Sequence, residues 1–150
     1  MRRLSLIGAL LLAACKPATP TAPAIEIRDA WARETAPGQT NGAAYFTIVN
    51  MGSVGDSLVS VTTPAASMAM IHGSSSSSNG VIAMRMMADL PVPGSATVKL
   101  APLGTHVMLT GLSAPLHAGD RVPLTLRFAR AGARQVDAAV LPASTSGPAR

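Results

Sequence analysis

Thr105-His106-Val107-Met108-Leu109 is a run of β-formers in which His106 and Met108 alternate with Thr105, Val107 and Leu109. Residues two apart on a strand project from the same face. His106 and Met108 therefore point one way, and Val107 and Leu109 the other. The same alternation recurs upstream: Gly80 to Met86 sets Ile82, Met84 and Met86 on one face, and Ser67 to His72 does so for Met68, Met70 and His72. Three strands can converge His72, Met84, His106 and Met108 on one point, and a stiff strand backbone holds such groups in geometry.

Outward from these strands, about eight or nine short alternating segments run through the chain. Turn residues separate them at Pro37-Gly38, Asn50 to Gly55, Asn79-Gly80, Pro93-Gly94 and Ala118-Gly119-Asp120. No stretch sustains a helical period and no internal repeat is present. The pattern predicts an all-β sandwich or barrel, formed by a single domain over 25–142, a length ample for one domain and too small for two. The tail 143–150 has little to bury and is expected to be disordered. Ser74 to Ser78 reads as a flexible hairpin connection.

The four side chains follow the spacing H-x11-M-x21-H-x-M, with no thiolate near them. Imidazole suits several transition metals, whereas a neutral thioether is a soft ligand that points to Cu(I). Structural zinc would call for Cys, His or carboxylates, and a blue-copper electron carrier for a Cys thiolate. Spacing alone nevertheless puts a structural role first, because Met is a common core filler and a lone His is commonly a hydrogen-bonded structural residue. Core packing is the expected role of Met68, Met70, Met86 and Met87, with auxiliary ligation the other. His117 lies in the turn Pro115 to Asp120, where a solvated residue is expected.

The N-terminus sets a compartment. Met1-Arg2-Arg3 is basic and Leu4 to Ala14 is apolar and ends in small residues, a secretory signal pattern. The run is too short to cross a bilayer, which takes roughly 20 apolar residues. Leu12-Ala13-Ala14-Cys15 looks like a bacterial lipobox, so 1–14 is read as a signal peptide cleaved before a lipidated Cys15. Residues 15–24, rich in Pro, Thr and Ala, would form a tether to the membrane. Lys16 after the Cys favours the outer membrane over the inner. Cys15 is the only cysteine, which excludes an internal disulfide.

Of twelve basic residues, Arg2 and Arg3 leave with the signal, so ten face seven acidic ones and the net charge falls from +5 to +3. Basic runs are absent and aromatic residues are scarce, so nucleic acid is not an expected partner. Enzyme signatures are missing as well: there is no G-x-S-x-G elbow, no H-E-x-x-H pair and no phosphate loop. The chain reads as a non-enzyme.

Several separate motifs carry a resemblance. Ile27-Arg28-Asp29-Ala30-Trp31-Ala32-Arg33, Gly42 to Phe46, Asn50-Met51-Gly52, Ile71-His72, Asn79 to Arg85, His106 to Leu112, Pro115-Leu116 and Gly119-Asp120 together resemble the periplasmic Cu(A) copper chaperone family. The likeness implies a cupredoxin-like Greek-key β-sandwich that holds Cu(I) through His72, Met84, His106 and Met108. It further implies a periplasmic metallochaperone that delivers copper to the Cu(A) domain of cytochrome c oxidase; the chain is expected to be a monomer. The alternative is a copper-buffering or resistance lipoprotein that sequesters the ion. Family members often carry further Met just after the first His, where this chain has Gly73 and Ser74 to Ser78.

Overall fold

Strands form where the sequence alternates, and every regular element among the described residues is a strand. The computed structural model describes residues 22–76 and 82–148. The signal segment, Cys15 and most of the tether lie outside the described residues, as does the Asn79-Gly80 turn.

Ten strands follow one another: β1 Ile25–Arg33, β2 Asn41–Asn50, β3 Asp56–Thr62, β4 Ala66–Ser76, β5 Ile82–Met86, β6 Leu90–Val92, β7 Thr97–Lys99, β8 His106–Leu112, β9 Arg121–Phe128 and β10 Gly132–Leu141. The count exceeds the eight or nine expected because β6 and β7, three residues each, are too short to show alternation. Hydrogen bonding runs in the order β5-β4-β8-β2-β1-β10-β9-β3-β6, with β7 also on β2. The β1–β10 pair is parallel and the other pairs are antiparallel. β3 packs against β4, and the path curls into a sandwich around one core.

That core is filled by the inward side of each alternation: Phe46 and Ile48 from β2, Ile71 from β4, Val107 and Leu109 from β8, and Leu124 and Leu126 from β9 among them. Each such side chain contributes roughly 1.5–3 kcal/mol by leaving water. The outward side of β4, β5 and β8 is thereby left to the His and Met residues.

A bulge in β1 decides what joins them. Arg28 pairs with Thr47, yet Trp31 pairs with Tyr45, so β1 carries one residue more than β2 across this step. Asp29 takes up the excess at φ 52°, a left-handed conformation that Asp tolerates better than most residues. The extra residue reverses the facing: Ile25 and Ile27 face the core before it, Ala30 and Ala32 after it. Trp31 and Arg33 are turned to the opposite face.

Two buried polar groups fasten the loops. Asn50 accepts at Oδ1 from the amides of Ala24 and Gly52, and its Nδ2 donates to the carbonyls of Val54 and Pro93. The Asp56 carboxylate accepts from the amides of Ser57, Arg130 and Ala131 at 2.8–2.9 Å, closing the β9–β10 turn. At the end of β1, Arg33 Nη2 donates to Thr145 O, and just beyond the strand the Ala143 amide donates to Glu34 Oε2.

Candidate metal centre

β4 and β8 bring the two histidines face to face. In their register His72 is opposite His106 and Met70 is opposite Met108. Because Ile71, Val107 and Leu109 occupy the core, the alternate residues His72, His106 and Met108 share the outer face. The imidazole centroids lie 5.7 Å apart, with the rings tilted by 56°. Two imidazoles bound to one ion at about 2.0–2.1 Å per bond span at most roughly 6.4 Å between centroids, so the pair is close enough to share an ion.

The hydrogen bonding of the pair leaves nitrogens free. His106, only 8% exposed, places Nδ1 2.9 Å from the carbonyl oxygen of Gly104. A carbonyl only accepts, so the proton sits on Nδ1 and the Nε2 lone pair is open, the way a ligating imidazole is usually oriented. Gly104 is itself held in the 101–105 loop, where its amide donates to Ala101 O and the Ala101 amide donates to Thr105 O. On His72, Nδ1 is buried and has no hydrogen-bond partner, which leaves a polar atom uncompensated at a cost of about 1–3 kcal/mol.

Met84 completes the set from a greater distance in the register. It pairs with Ser74, whereas Met86 is the residue directly opposite His72. Met84 nonetheless lines a cleft of about 240 Å³ with His106 and Met108. The structure thus gathers Met84, His106 and Met108 around one cleft, with His72 beside His106 rather than among the lining residues. Met84 is 63% exposed.

Arg33 and Glu34 stand at the same cleft. Arg33 Nε is buried without a partner, and its Nη2 reaches only a backbone carbonyl. Behind His106, Tyr45 lies at 6.4 Å and stacks on Trp31 at 4.4 Å. Burial pushes the Tyr45 phenol above its ordinary range, with Arg33 opposing the shift, so the hydroxyl stays neutral. Nothing in the spacing of the sequence marked Arg33 and Tyr45 as neighbours of the site. A broken alternation between Ile27 and Ala30 was the one available sign.

The remaining candidates divide. His117 is exposed and lies 3.6 Å from Asp120, in the turn as expected. Met87 packs against the core, as expected. Met68 and Met86 do not: both are more than half exposed, because they share the outer parity of His72 while the core takes the inner one. A Cβ built at Gly73 would meet Met87 Sδ at 2.8 Å. The Met87 sulfur fills the space that a side chain at 73 would need.

Residues 25–140 match a family model described as "Putative lipoprotein LpqE-like". The "Putative lipoprotein Lxx21020" of Leifsonia xyli subsp. xyli (strain CTCB07) is 34% identical over 104 residues, which is 69% of this chain. The chain spans 61% of that relative's length. Among solved structures, the copper-bound PCuAC domain from PmoF2 superposes with a TM-score of 0.68 at 26% identity, covering 83% of this chain and 96% of that one. The Cu(I) form of DR1885 from Deinococcus radiodurans gives 0.64 at 29%, covering 89% and 88%. The all-β, cupredoxin-like sandwich expected from the sequence is the observed fold.

Proposed function

The chain belongs to the LpqE-like family, and from that premise we propose that it is a Cu(I) metallochaperone working outside the cytoplasm, anchored by a lipid on Cys15. One observation carries the reading: the His72–His106 pair, with one nitrogen freed by the Gly104 bond, the other buried without a partner, and thioethers adjoining. His72, His106, Met84 and Met108 would ligate the ion. The copper named in the PmoF2 domain and the Cu(I) form of DR1885 supports the same cargo here.

The ligand set is uncharged, which suits a monovalent soft ion. Of the two charged groups at the cleft, the Arg33 guanidinium repels a divalent ion twice as strongly as a monovalent one at equal distance, and the Glu34 carboxylate offsets part of that. No bond-making chemistry is required of the protein. Copper arrives and leaves as Cu(I), exchanging one ligand at a time, and the exposed Met84 is the first to let go. The buried His106 is the last.

Exposure of Met84 also favours delivery over sequestration, because a sink would enclose its ion. The proposed recipient is the Cu(A) domain of cytochrome c oxidase, reached from the periplasmic face of the membrane that holds the lipid, the outer membrane being favoured over the inner. Mixing the Cu(I)-loaded chain with an apo Cu(A) domain tests delivery. Copper found on the separated Cu(A) domain sooner than with free chelated Cu(I) supports a carrier; copper that stays on this chain supports the buffering reading.

A further inference from the structure

The outer face carries more thioether than one copper site uses. Met68 and Met70 on β4, Met84 and Met86 on β5 and Met108 on β8 all share it by register. Burying Met is the ordinary reason to encode it, yet Met86 is 64% exposed. Exposed soft sulfur beside a soft-metal site calls for a role other than packing.

Met70 occupies the pivotal position. On one side it is directly opposite Met108, a member of the first site. On the other, with His72 opposite Met86, it is the diagonal neighbour of Met86 across β4–β5, and diagonal cross-strand side chains lie within reach when they are long. Met70 and Met86 also line one groove of about 230 Å³, at the edge where β4 meets β3. Met87 lines the groove too, but its sulfur is already placed against Gly73. Charged side chains are absent from the lining.

We propose that Met70 and Met86 form a second, thioether-only binding point for a soft monovalent metal ion, adjoining the first site through Met108. The inference rests on the Cu(I) reading above. Two neutral thioethers bind more weakly than a mixed set that includes imidazoles, so the second point fills after the first. A Cu(I) that leaves His106 last is taken up by Met70 and Met86 beside Met108, and no electron changes hands.

Ag(I), a redox-silent monovalent probe, tests this on protein labelled with 13C at its methionine methyls. The native chain is expected to take a first equivalent that shifts Met84 and Met108, then a second that shifts Met70 and Met86. The double change Met70→Leu and Met86→Leu, nearly volume-conserving and therefore well tolerated, should abolish the second equivalent and keep the first. In the double change His72→Ala and His106→Ala, Met70 and Met86 should still respond. A second equivalent that survives Met70→Leu/Met86→Leu, or none in the native chain, overturns the proposal. A first equivalent that never moves Met84 or Met108 overturns the copper-site reading instead.

Discussion

At the scale of single residues, hydrogen bonds decide what each side chain can do. The Gly104 carbonyl holds one nitrogen of His106, and the other is the one we propose for the metal. Arg33 acts at longer range, its charge held at the cleft by β1 and the tail. Replacing it with Gln should strengthen Cu(II) binding more than Cu(I) binding, read by competition titrations of each oxidation state; equal changes would mean that the guanidinium does not set the preference. Asp56 plays a structural part, accepting three amide protons. Asp56→Asn puts a donor where acceptors are needed and should cost about 1–3 kcal/mol in urea unfolding, with the metal stoichiometry unchanged.

At the scale of elements, β8 links core and site. Its inner residues, Val107 and Leu109, are fully buried and its outer ones, His106 and Met108, face the cleft. Leu109→Ala should lower stability by about 2–5 kcal/mol, measured by denaturant titration, and the protein that remains folded should still bind one Cu(I). This alternation was legible in Thr105 to Leu109 because a period of two is visible in five residues. The bulge at Asp29 was not, since one inserted residue looks like the end of a strand until the partner register is known. Nor was the exposure of Met68 and Met86: Met is at home in a core or on a surface, and only the parity of β4 and β5 relative to His72 separates the two. β6 and β7 were invisible because three residues carry no period.

At the scale of the whole molecule, the sandwich brings residues 34 positions apart in sequence, His72 and His106, within one ring-to-ring distance. Spacing suggested convergence, while the β4–β8 register decides which side chains meet, placing Met86 rather than Met84 directly opposite His72. The hydrogen bonds that Thr145 and Ala143 make with Arg33 and Glu34 leave no trace in composition. The central claim is that imidazole nitrogen and thioether sulfur bind one Cu(I) together. X-ray absorption at the copper edge of protein loaded with one equivalent tests it most directly. A first shell of mixed nitrogen and sulfur is predicted, with sulfur scattering reduced in Met84→Leu and Met108→Leu and nitrogen scattering reduced in His72→Ala and His106→Ala. A shell without sulfur, or one that none of these changes alters, would contradict the account.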